Sequence, residues 1–120
     1  MMRKYLILIC ACLLIFACDD ILEVEDISDK SVIVLAPSDD VVLNSNDLNF
    51  SWEPLEDVES YHLQVATPSF EAAAQIVLDT LITTTSYSAT LDFNTYQWRI
   101  RAENSEYQTE YTIQSFTINE

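Results

Sequence analysis

Residues 31–120 predict an all-β fold, a two-sheet sandwich of about seven strands. Two observations predict it. Apolar residues alternate with polar ones in short bursts, the period of a strand with one buried face. Pro, Asn, Asp and Ser separate the bursts, and these residues make turns through fixed φ or side-chain hydrogen bonds. Gly is absent from the whole chain, so such residues must supply every turn.

Taken in order, Ile33 and Leu35 lead into the turn Ala36-Pro37-Ser38-Asp39-Asp40. Leu48, Phe50 and Trp52 alternate with Asn49 and Ser51. Pro54 to Glu59 is a polar turn. Tyr61, Leu63 and Val65 alternate with His62 and Gln64, and Pro68-Ser69 breaks the chain. Phe70 to Ala74 suits one helical turn, since Ala and Glu favour it and Ser69 can cap it. Ile76 to Ile82 reads as an edge strand, followed by the alternating Tyr87, Ala89 and Leu91. Tyr96, Trp98, Ile100 and Ala102 then face in, with Gln97, Arg99 and Arg101 facing out. Asn104-Ser105-Glu106 turns the chain, and Ile113, Phe116 and Ile118 close it. Parity makes Trp52, Tyr61, Tyr96 and Trp98 core residues; a core aromatic buries roughly 150–250 Å².

Three of these segments resemble an immunoglobulin-like sandwich, the fibronectin type III domain. Phe50-Ser51-Trp52 is similar to its second strand, and Tyr61 to Val65 to its third. Leu91 to Asn104 is similar to its sixth strand and the preceding turn. The resemblance implies a tyrosine corner at Tyr96, its hydroxyl bonding the backbone upstream. Phe93-Asn94 stand where the family usually has Pro-Gly. The run Tyr96-Gln97-Trp98-Arg99-Ile100-Arg101-Ala102 is similar to such domains in surface lipoproteins of Bacteroidetes, including those associated with glycan uptake.

The amino terminus assigns a location. Met1-Met2-Arg3-Lys4 precede thirteen apolar residues, Tyr5 to Ala17, which run into Cys18-Asp19-Asp20. A basic start and a short apolar run make a secretory signal. The run is shorter than the ~20 residues a membrane-spanning helix needs. Ile15-Phe16-Ala17-Cys18 resembles the lipobox of a bacterial lipoprotein signal peptide. Residues 1–17 are then a cleaved signal helix, and Cys18 carries the acyl chains. Ile9-Cys10-Ala11-Cys12 fits the same pattern, but it shortens the apolar run and leaves Leu13 to Phe16 on the mature protein. An uncleaved anchor is the other alternative. Residues 18–30 form an acidic tether of like charges, which extend a linker. Asp19-Asp20 resemble a surface-display signal of Bacteroidetes outer-membrane lipoproteins; in enterobacteria Asp after the Cys resembles an inner-membrane retention signal. The first is adopted, placing the protein on the outer membrane and facing outward.

Composition narrows function. From Cys18 onward only Lys30, Arg99 and Arg101 oppose the 20 acidic residues, leaving −17. Such a surface lacks the phosphate attraction that drives nucleic-acid binding, and like charge favours a soluble monomer. With Cys18 lipidated and Cys10 and Cys12 removed, no disulfide, thiolate metal site or cysteine nucleophile is available. The absence of Gly rules out Gly-rich phosphate loops. No cofactor and no metal is expected.

Few residues remain as candidate sites. Tyr107 and Tyr111 lie near the last turn, where loop aromatics meet partners. Arg99 and Arg101 form the only positive stripe, expected to pair with cross-strand acids or to bind a carboxylate. His62 is the only histidine and falls on the outward parity of its strand. Glu53, Glu56, Asp57 and Glu59, and the loops Asp39-Asp40 and Asn44 to Asp47, carry oxygen ligands of the kind calcium uses, but their spacing fits a solvated turn better. Asp79-Thr80-Leu81 resembles a short O-glycosylation acceptor of Bacteroidetes. The function expected is a non-catalytic, lipid-anchored envelope protein presenting a fibronectin type III-like module to a protein or glycan. A glycan-binding accessory using Tyr107 and Tyr111 is the alternative. A small carboxylate-based hydrolase is a further one and requires an acid of raised pKa in an apolar pocket.

Overall fold

The computed structural model describes residues 23–120. The signal, the lipobox with Cys18, and Asp19-Asp20 lie outside the described residues. The alternating segments become strands whose apolar side chains turn inward. These are β1 (Val34–Ala36), β2 (Val41–Leu43), β3 (Asp47–Trp52), β4 (Ser60–Thr67), β5 (Gln75–Ile82), β6 (Ser86–Thr90), β7 (Thr95–Glu103) and β8 (Thr112–Ile118). They form a three-stranded sheet, β1-β3-β6, and a five-stranded sheet, β2-β8-β7-β4-β5. β5 is an edge strand, as its sequence predicts.

Eight strands replace the expected seven because the first segment is split. The chain leaves the three-stranded sheet after Ala36 and joins the five-stranded one at Val41, parallel to β8. Pro37 has no N–H to continue a ladder. Asp39 holds the crossing: its Oδ1 accepts the Ser115 N–H at 2.8 Å, and the Asp40 N–H donates to the Ser115 carbonyl at 2.7 Å. Asp40 and Asp57 adopt φ of 60° and 65°. Asp tolerates this left-handed region better than most residues, so it takes positions that glycine would otherwise fill.

The core sits between the sheets. Phe50 meets Trp98 edge-on at 5.2 Å between centroids, Trp52 meets Tyr61 at 5.6 Å, and Tyr96 stacks on Phe116 at 5.2 Å. Trp52, Tyr61, Tyr96 and Trp98 are all buried, as their parity predicts. Trp98 Nε1–H donates to the Pro37 carbonyl at 3.2 Å, whereas buried Trp52 Nε1–H has no partner among the described residues. The Tyr61 hydroxyl accepts the Leu55 N–H at 3.0 Å and so closes the Pro54 to Glu59 turn. Tyr96 makes the expected corner, its hydroxyl donating to the Asp92 carbonyl at 2.7 Å.

Four expectations are corrected. Ile33 and Leu35 face solvent, and Val32 and Val34 supply the inward positions instead. A run apolar at every position, Val32 to Ala36, has no parity of its own, so the sheet pairing decides. Ile113 also faces out, because Phe116 and Ile118 occupy the inward parity of β8. Phe70 to Ala74 is a turn rather than a helical turn. Ser69 does accept the Ala72 N–H at 3.1 Å, but the Ala74 N–H donates to the Thr67 carbonyl and returns the chain to the sheet. Finally, the extended tether does not run to residue 30. Ile27 is wholly buried in the core, and Glu25 accepts from Asn104 Nδ2 through its carbonyl at 2.8 Å. Apolar burial of one Ile outweighs the weak repulsion among the solvated acids around it.

Candidate functional site

The outer face of the five-stranded sheet gathers His62, Asp79, Arg99, Arg101, Glu103 and Tyr111. Register builds it. β4 pairs with β7 so that His62 lies opposite Arg101 and Gln64 opposite Arg99. β5 pairs with β4 so that Asp79 lies opposite Gln64 and Leu81 opposite His62. β8 sets Ile113 opposite Arg99. Alternation then turns all of these away from the core.

The sequence reads His62 as a lone, outward-facing histidine, and the structure corrects this by giving it two partners. Its side chain is only 19% exposed. Nε2 lies 2.5 Å from Asp79 Oδ1, and Nδ1 lies 2.9 Å from the Tyr111 hydroxyl. An ionised carboxylate only accepts, so Nε2 carries the proton. In the neutral ring Nδ1 is then the acceptor, and the Tyr111 O–H donates to it. Glu103 stands 3.7 Å from the same Nδ1. Asp79 is held below the usual carboxylate range, first by the hydrogen bond from His62 and then by Gln64. Burial pushes the Tyr111 phenol up, against the pull of Arg101 and Arg99.

The two arginines frame Tyr111. The Arg99 guanidinium carbon is 4.3 Å from its ring centroid and that of Arg101 is 4.6 Å away. Arg99 also lies 4.1 Å over Phe70. Cation and ring faces attract, more strongly as water is excluded. Each Nε is tied as well, Arg99 to Gln64 Oε1 at 2.8 Å and Arg101 to Glu103 Oε2 at 3.0 Å. Beside this cluster lies a shallow, open depression lined by His62, Asp79, Thr80, Leu81, Arg101 and Glu103.

The structure brings Arg99, Arg101 and Tyr111 together and separates them from Tyr107, which packs against the core. The pair Tyr107 and Tyr111 therefore forms no common platform. One ring turns inward, and the other carries two guanidinium groups. Asp79, Glu103, Gln64 and Phe70 join the site without having been singled out for it. Their only signal is the strand register, which a single sequence does not display. Thr80 of the Asp79-Thr80-Leu81 segment sits on the inward parity, opposite buried Leu63. Asp57 pairs with Lys30 at 3.9 Å, and Asp39 is engaged with Ser115, so both acidic turns have structural work. Among the described residues no three His, Cys, Asp or Glu side chains converge to hold a metal ion.

No family model and no curated protein matches this sequence. Solved structures do match. A fibronectin(III)-like module of Clostridium thermocellum CbhA superposes with a TM-score of 0.54 at 11% identity, covering 73% of this chain and 95% of that one. The crystal structure of FN3tt superposes with a TM-score of 0.52 at 13% identity, covering 75% of this chain and 97% of that one. The fold is fibronectin type III-like. Its neighbours are small domains of nearly the size of the described one.

Proposed function

We propose that this protein is a non-catalytic envelope lipoprotein that displays a fibronectin type III-like module to a protein or glycan partner. Acyl chains on Cys18 hold it in the bacterial outer membrane, facing outward, and the residues before Ile27 space the module from the headgroups. Two or more acyl chains give stable anchoring, each buried CH₂ contributing about 0.8 kcal/mol. The contact surface is the outer face of the five-stranded sheet. The observation that carries this reading is the cluster of Tyr111, Arg99, Arg101 and His62 on that face, since Tyr and Arg dominate the energetics of interfaces.

The hydrolase reading lacks support. Asp79 is an acid held low, not raised, and the depression beside it is open. The glycan-accessory reading loses the two-tyrosine platform on which it depended. Metabolic labelling with tritiated palmitate tests the anchor. The wild type incorporates label and Cys18→Ala does not; equal labelling of both would refute lipidation at Cys18. Protease shaving of intact cells then removes the module if it faces outward and spares it if it faces the periplasm.

A further inference from the structure

Arg99 is one of three cations against 20 acids from Cys18 onward, yet it forms no ion pair among the described residues. Lys30 pairs with Asp57 and Arg101 with Glu103. Arg99 has no carboxylate within ion-pair distance among the described residues. Its cross-strand neighbours are Gln64 and Ile113, both uncharged. The cross-strand acid expected for it from the sequence is therefore missing.

What Arg99 has instead is orientation. Phe70 and Tyr111 lie at 4.1 and 4.3 Å from its guanidinium carbon, and Gln64 accepts from its Nε at 2.8 Å. Those contacts restrain a side chain that otherwise loses much rotamer freedom on binding. A guanidinium has five N–H donors in a rigid fork. Gln64 takes the one on Nε. The four on the Nη atoms find no acceptor on the protein among the described residues. Their paired geometry matches a carboxylate through two parallel hydrogen bonds.

We infer that Arg99 is a preorganised fork for a carboxylate carried on an apolar body, which covers Ile113. Ile113 lies directly across from Arg99 and is 48% exposed. The apolar body follows from the charge of the chain. At −17 the chain from Cys18 onward repels bare anions at long range, and Asp79 and Glu103 stand near by. A ligand held there needs contact energy besides its charge, and Ile113 supplies apolar surface beside the fork. Asp79 and Glu103 do not compete for the fork, being engaged with His62 and Arg101. The inference rests on the outer sheet face being the contact surface, and it names the chemistry recognised there.

Benzoate is a suitable probe and benzamide its neutral counterpart. Each is titrated into the isotope-labelled full chain in an uncharged detergent, with the Arg99 Nε–H resonance followed by NMR. Benzoate should shift that resonance saturably at millimolar concentration, and benzamide should not. Arg99→Lys keeps the charge and removes the fork. It should weaken benzoate binding, read at the Ile113 amide, at least tenfold, while Lys30→Gln should leave it within twofold. Equal responses to benzoate and benzamide, no saturable response, or unchanged affinity in Arg99→Lys would overturn the fork. The first two need no variant and so do not depend on a substituted chain folding. A failed titration alongside intact, Cys18-dependent palmitate labelling would remove the fork and leave the anchored module standing.

Discussion

His62 on β4 and Asp79 on edge strand β5 share a hydrogen bond of 2.5 Å across 17 residues of sequence. Tyr111, from the segment before β8, holds the other ring nitrogen at 2.9 Å. Side chains of three separate segments thus meet above β4 and β7. They tie the edge strand to the sheet on the face away from the core.

That contact makes stability depend on acid. The Asp79 carboxyl is held low in the folded protein, chiefly by His62. Its stabilisation is therefore complete above the unfolded value of about 3.9, and it is lost as the pH falls through the lower folded value. Asp79→Asn should show a smaller drop in melting temperature than the wild type between about pH 5 and pH 2. The Asp79 side chain is 56% exposed, so the difference should stay under about 1 kcal/mol. Thermal melts across that range decide it, and parallel curves for the two proteins would contradict the coupling.

Tyr96→Phe deletes the corner hydrogen bond to the Asp92 carbonyl and leaves the ring stacked on Phe116. The expected cost is about 1 kcal/mol, or a melting temperature lower by about 4–8 °C. Burial, and then Asp92, pushes the Tyr96 phenol up. Its contribution is present below the unfolded value of about 10 and is lost as the pH rises through the folded value. Tyr96→Phe should accordingly lose less stability than the wild type above about pH 10. Urea denaturation at neutral and alkaline pH measures both effects.

Ile27 and Ile33 differ only in where the fold places them. Ile27 is 0% exposed and Ile33 is 58% exposed. Ile27→Ala should destabilise by about 2–5 kcal/mol, and Ile33→Ala by less than about 0.5 kcal/mol. Denaturant midpoints compare them directly. A small effect at Ile27 would show that the segment before Ser31 is not part of the folded unit.

Strands β3 and β7 were legible because each alternates strictly, and β4 because it alternates from Ser60 to Val65. A period of two leaves one inward set, as with Leu48, Phe50 and Trp52, or Tyr96, Trp98 and Ile100. Val32 to Ala36 was not legible, since every position is apolar and either parity would serve. Ile27 was hidden among acids, where charge masks a single buried side chain. At the site, the outward parity of Arg99, Arg101 and His62 could be read from their strands. Their partners could not, because Asp79, Gln64, Glu103 and Phe70 reach them only through the pairing of β4 with β5 and β7.

Local residue order, by itself, determined the fold class and which aromatics are buried, because alternation is a local property of a strand; the corner at Tyr96 followed only from the resemblance to the fibronectin type III domain. Tertiary structure alone decided that Arg99 goes without an acid among the described residues, that His62 lies between Asp79 and Tyr111, and that Ile27 belongs to the core. Those are matters of register and of packing between sheets, and both join residues that the chain keeps far apart.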